Sequence, residues 1–116
     1  PHIIFECSDE LTSKILFNNV FTELHILLAE LLPTQASNCK SRLVPYQHYL
    51  VGNEVNNFFI HLTIKILPGR TTQVKDITAK KVLKYIEKII HDLDFLYVSI
   101  SVEVQELSAC YLKNKV

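Results

Sequence analysis

The residue with the most chemical potential stands at position one. The chain starts at Pro1, and no methionine occurs in it. An unblocked N-terminal proline is a secondary amine, held by its own ring and by the segment that follows. It can accept a proton from carbon or from an enol. An α-amino group titrates at about 7.7–8.0, so only about a tenth of it is the free base at pH 7. Lowering that value by about one unit brings the free-base share to about half. Burial of the cation and fixed positive charge nearby both act in that direction. A trimmed chain start is the competing reading of the same residue. The other reactive types offer less. His2, His25, His48 and His91 are scattered without ligand spacing, so no metal site is expected. Cys7, Cys39 and Cys110 are an odd set without a Cys-x-x-Cys pair, which argues against a disulfide framework and for a reducing, cytoplasmic setting.

Composition narrows the partners. A chain of 116 residues is expected to form one domain, 1–116, and a hydrophobic content of 48% is enough to fill a core. Twelve basic residues balance twelve acidic ones. Nucleic-acid and membrane-surface proteins normally carry a basic excess, so neither partner is expected. Apolar runs such as 64–67 are interrupted by lysine and fall far short of a membrane span. No charged-then-apolar signal segment opens the sequence, which again points to the cytoplasm.

Periodicity supplies the elements that must position Pro1. Ile3, Ile4 and Phe5 mark a short strand over 2–8. Leu16, Val20, Leu24, Leu27, Leu28 and Leu31 then recur at spacings of three and four, which predicts a helix over 11–32. Thr12 or Ser13 is its expected cap and Pro33 its stop. Residues 38–46 read as extended, with Pro45 favouring an edge or a bend. Gly52-Asn53 suits a tight turn. The order then repeats. Phe58, Ile60, Leu62, Ile64 and Ile66 alternate with Phe59, His61, Thr63 and Lys65 as a strand. Pro68-Gly69 breaks it, and a helical period runs over 73–93. Leu96, Val98, Ile100, Val102 and Val104 share one face of a strand over 95–104. Each half, 1–57 and 58–116, is strand, helix, strand. Right-handed crossovers make each pair of strands parallel. The fold class is therefore α+β, a β-α-β-β-α-β chain with a four-stranded mixed sheet and both helices on one face. The opposite face is left bare with apolar side chains on it, which predicts association.

Several ordered motifs resemble one family. Pro1-His2-x-Ile4-x-Glu6-Cys7-Ser8 opens the chain, followed by Ser41-Arg42, His61-Leu62-Thr63-Ile64-Lys65-Ile66, Gly69-Arg70 and Val104-Gln105-Glu106-Leu107. Together they resemble the tautomerase superfamily, and within it the 5-carboxymethyl-2-hydroxymuconate isomerases, over almost the whole chain apart from the tail. The resemblance implies a homotrimer whose bare sheet faces enclose the centre, with an active site partly built from a neighbour. It implies a cofactor-free isomerase that moves a proton within an unsaturated, carboxylate-bearing keto acid. Pro1 is then the general base and acid, and cations hold the small anionic substrate. A non-enzymatic trimeric binding protein on the same scaffold, or a tautomerase of another substrate, is the alternative.

The cationic candidates follow from the same register. Where the family usually has an arginine this chain has Lys40, which keeps the charge but loses the paired donors. Arg42 lies two residues on, and residues two apart on a strand share a face, so both can look into one pocket. Arg70 precedes the second helix and can bind an anion with that helix's first N–H groups. Each also has an ordinary reading, as solvated cation or structural ion pair. The family's tail carries an aromatic residue near the active site, and Tyr111 or Leu112 is the available pocket wall here. His61, Glu6 and Cys7 read as structural. Lys80, Lys81, Lys84 and Lys88 read as the solvated side of the second helix.

Overall fold

A computed structural model describes residues 1–95 and 97–116 of the protein. Four strands, β1 (His2–Ser8), β2 (Lys40–Tyr46), β3 (Phe58–Ile66) and β4 (Val98–Glu106), form one sheet in the order β2-β1-β3-β4. Helices α1 (Phe17–Leu31) and α2 (Thr72–His91) provide the crossovers. β1 and β2 are parallel, as are β3 and β4, while β1 and β3 meet antiparallel at the centre. The expected β-α-β-β-α-β order and α+β class are what the chain adopts. Leu96, placed on the last strand by its period, lies outside the described residues.

Alternation decides which face is buried. Ile3, Phe5 and Cys7 of β1 and Ile60, Leu62, Ile64 and Ile66 of β3 are almost wholly buried against the helices. From the helices, Val20, Leu24 and Leu28 of α1 and Val82, Ile86 and Ile90 of α2 join this core. A spacing of four puts each set on one stripe, so burial rather than intrinsic helix preference holds the helices in place. Lys80, Lys81, Lys84 and Lys88 are exposed, on the solvated side of α2.

The first helix begins later than its period suggests. Residues Asp9–Leu11 form a short 3-10 turn, and Thr12 Oγ1 donates to the Asp9 carbonyl at 2.7 Å instead of capping the helix. Such a local side-chain bond competes with helix formation. The helix starts where Phe17 and Phe21 pack edge-on to Phe5, with centroids 5.2 and 6.4 Å away. Leu16 is left 74% exposed. By contrast α2 has a proper cap, since Val74 N–H donates to Thr71 Oγ1 at 3.2 Å. Pro45 lies on the edge strand β2, where a missing donor costs no ladder bond. Gly52, at φ 63°, supports the turn bridging Val51 and Glu54.

The bare face is more polar than expected. Register puts His2, Ile4 and Glu6 beside Lys40, Arg42 and Val44 on one side. On the other stand Lys65, Thr63 and His61, followed by Gln105, Glu103 and Ser101. Ile4, Val44 and Phe59 are its main apolar members, so the face is a mixed surface and not an apolar patch. His61 bonds Ser101 Oγ at 2.7 Å and Glu103 Oε1 at 2.9 Å on this face.

The position of α1 is checked by a contrast of two leucines. Leu24→Ala, at a fully buried position, is expected to cost about 2–5 kcal/mol in urea unfolding. Leu16→Ala is expected to change stability by less than about 0.5 kcal/mol. Similar losses at both would place the helix start wrongly.

Candidate active site

One end of the sheet collects the reactive groups. Because β1 runs antiparallel to β3, the start of β1 lies beside the end of β3, with His2 opposite Lys65. Parallel pairing adds the start of β2, where Lys40 N–H donates to the Pro1 carbonyl at 3.0 Å. It also adds the end of β4, where Leu107 N–H donates to the Ile66 carbonyl at 2.7 Å. The Pro1 carbonyl is thus fixed in the ladder while the ring nitrogen is left for other work.

Pro1 borders a hollow that it lines together with Thr34, Asn38, Lys40, Leu67, Arg70, Leu107, Tyr111 and Lys113. The hollow has a volume of about 40 Å³. A larger depression of about 480 Å³ adjoins it, sharing Asn38, Lys40, Tyr111 and Lys113 and adding Lys115. A multi-carbon acid fits only by extending from the first into the second.

The electrostatics favour the free amine. Burial is the largest influence and holds the Pro1 ammonium below its usual 8.0. Lys40, Lys113 and Arg70 push the same way. Cys39 opposes them, but only as a thiolate, and burial pushes that thiol upward. At neutral pH it is uncharged and its opposition is absent. His25 stands near enough to feel the amine's charge; burial first, then that charge, keeps its imidazole neutral. It bonds Ser41 Oγ at 2.7 Å, tying α1 to β2.

The sequence candidates divide. Pro1, Lys40, Arg70 and Tyr111 meet in the hollow. Arg42 does not line it: the guanidinium lies over the open sheet face, where Nη1 donates to His2 Nδ1 at 3.1 Å. Leu112 is 91% exposed and lines neither of these two hollows in this chain. Arg70 is not seated on the first N–H groups of α2. Its Nε and Nη2 donate to the Leu32 carbonyl at 3.3 and 2.9 Å, and Nη1 donates to the Leu67 carbonyl at 3.4 Å. Five N–H groups make up a guanidinium, so two remain for an anion.

Lys113, Lys115, Cys39, His25 and His2 were not singled out as site residues from sequence. Residues 107–116 have no regular structure, so no period foretells the return of the tail lysines. His2 was legible in principle, since it pairs with Lys40 across β1 and β2 and lies two residues from Ile4 on one face. No group of three or more potential metal ligands occurs among the described residues, and no described helix is long and apolar enough to cross a membrane.

Comparison with known proteins adds the following. A family profile described as 5-carboxymethyl-2-hydroxymuconate isomerase matches residues 1–116. No curated protein matches by sequence. Among solved structures, a 5-carboxymethyl-2-hydroxymuconate isomerase from Deinococcus radiodurans R1 superposes with a TM-score of 0.83 at 20% identity, covering 98% of this chain and 89% of that one. A 5-carboxymethyl-2-hydroxymuconate delta-isomerase gives 0.78 at 12% identity, with 99% and 87% covered. A fused 4-OT symmetric trimer gives 0.72 at 13% identity, with 92% and 85% covered.

The effect of the cations on the amine is directly measurable. Lys40→Gln removes one positive neighbour and is expected to raise the Pro1 pKa, read by NMR titration of the ring carbons. An unchanged value would show that Lys40 does not act on the amine.

Proposed function

Given that the chain belongs to the 5-carboxymethyl-2-hydroxymuconate isomerase family and is an isomerase, we propose that Pro1 is its general base and acid. The substrate is an unsaturated keto acid bearing carboxylates, and the reaction moves one of its protons. The observation that carries this reading is the Pro1 amine, half-buried in a hollow and held below its usual pKa among Lys40, Lys113 and Arg70.

The chemistry balances without a second reactant. The nitrogen lone pair takes a proton from the substrate, and the electron pair left behind spreads into the conjugated dienolate. The resulting prolyl ammonium returns the proton at another carbon, giving an isomer of the starting acid. A base and its conjugate acid serve in turn, so a pKa near the working pH suits both steps. Lys40, Lys113 and the two spare N–H groups of Arg70 attract carboxylates and offset the charge of the dienolate. The same charges hold the amine in its basic form, so binding and activation have one source. Overall neutrality is compatible with this, because what matters is the local concentration of cations.

Residues 1–116 act as one domain on this reading, and three copies associate through the open sheet face. That face mixes His61, Glu103, Lys65 and Glu6 with Ile4, Val44 and Phe59, the composition of a wet, polar interface. Arg42 and Leu112, which do not line the hollow of their own chain, face directions where another copy can meet them.

Three experiments test these statements. Pro1→Ala is expected to lower kcat/KM for the enol form of phenylpyruvate by about 10²-fold or more with the fold unchanged. Intact mass must establish that the amine is unblocked, and equal turnover removes Pro1 from the mechanism. In the wild type, kcat/KM rises with pH as the ammonium loses its proton, with a midpoint below 8.0, its ordinary value. A midpoint at or above that value contradicts the assignment. Separately, light scattering of the purified protein is expected to give three times the chain mass, and a monomer at working concentration excludes the assembly.

A further inference from the structure

A hydrogen-bonded chain runs from the open sheet face into the hollow. Arg42 Nη1 lies 3.1 Å from His2 Nδ1, and His2 Nε2 lies 2.8 Å from Tyr111 Oη. The imidazole and phenol rings meet edge to face, with centroids 5.7 Å apart. Tyr111 in turn lines the hollow with Pro1, Lys40 and Arg70.

The direction of every proton in this chain is fixed by the residue types. A guanidinium has no acceptor, so Arg42 can only donate, and His2 Nδ1 must be the unprotonated nitrogen. A neutral imidazole with bare Nδ1 carries its hydrogen on Nε2. That N–H therefore donates to Tyr111 Oη. An imidazolium is disfavoured, because its Nδ1–H would point at the Arg42 N–H. Burial first, then Arg42, Lys40, the Pro1 amine and Lys65, also hold the His2 pKa below its ordinary value. With its oxygen occupied by the imidazole, the Tyr111 hydroxyl keeps its own hydrogen to give. Among the described residues that hydrogen has no acceptor.

We propose that Tyr111 donates a hydrogen bond to the oxyanion that develops on the substrate as Pro1 removes its proton, and that His2 and Arg42 are positioning residues that orient the donor. This rests on the proposed role of Pro1, and it extends that role by naming the group that receives the displaced charge. No proton leaves Tyr111: the substrate proton goes to the Pro1 nitrogen, the electron pair moves onto the carbonyl oxygen, and the phenolic O–H stabilises it there. A donor held before the reaction needs no reorganisation during it, which is the condition under which such a bond favours the transition state over the ground state.

The test compares Tyr111→Phe, Pro1→Ala and His2 variants on the enol form of phenylpyruvate. Tyr111→Phe keeps the ring and loses only the hydroxyl, and is expected to lower kcat about 10²-fold, with KM changed by less than about threefold. His2→Ala is expected to lower kcat, and His2→Gln to recover part of it, because the amide N–H can reach the phenol. Wild-type kcat in Tyr111→Phe alongside an inactive Pro1→Ala overturns the tyrosine donor and leaves the proline base intact. An active Pro1→Ala overturns the underlying reading instead. Nitrogen NMR of His2 in the unaltered protein provides a readout independent of any variant's folding. A bare Nδ1 with a hydrogen on Nε2 is expected, and the opposite tautomer rejects the relay.

Discussion

The antiparallel seam between β1 and β3 is the constraint from which the site follows. Helical crossovers make strands parallel within each half, so each half alone would separate its strand starts from its strand ends. Joining the halves head to tail places the starts of β1 and β2 against the ends of β3 and β4. Pro1, Lys40, Leu67, Arg70 and Leu107 come from these four ends and their connections. A slip of one residue in that seam would turn Ile3, Phe5 and Cys7 outward. Core packing therefore fixes the register, and the register in turn fixes where the prolyl nitrogen sits.

Concentrating cations around a half-buried amine works against folding, because like charges repel and the ammonium is poorly solvated. The structure limits the cost by giving several of these groups a second attachment. Arg70 bonds the carbonyl at the end of α1 as well as that of Leu67, so its guanidinium is held whether or not an anion is bound. Lys115 donates to Asn38 Oδ1 at 3.3 Å and ties the tail to the loop before β2. Lys113 and Lys40, which both line the hollow, have no such attachment among the described residues, and their charges are the ones available to a ligand.

The sequence revealed elements more readily than places. Period two identified β3 and β4, β-branched and aromatic residues identified β1, and periods of three and four identified both helices, because burial on one side imposes those spacings. The start of α1 was misread because Thr12 has the type of a cap but bonds back to Asp9. The shared strand face of Lys40 and Arg42 was read correctly, yet it did not put both in the hollow. Lys40 sits at the rim, while Arg42 is about two strand residues further along, over the sheet. Arg70 was chosen for a helix N-terminus and is instead held by main-chain carbonyls. Tyr111 was recognised only as a wall. Its hydroxyl gains meaning from His2 and Arg42, partners 109 and 69 positions away in sequence, and no local pattern encodes such a meeting.

The doubled architecture has an asymmetric outcome. Asn57 precedes β3 as Pro1 precedes β1, although the strand pairs open differently: the Phe58 N–H of the first strand donates to the Tyr97 carbonyl, whereas in the first half the Lys40 N–H of the second strand donates to that of Pro1. Yet the nitrogen of Asn57 belongs to a peptide link, its lone pair delocalised into a carbonyl and its hydrogen directed to Glu54 at 3.4 Å. On the proposed role of Pro1, the fold thus holds one proton carrier for every two β-α-β modules.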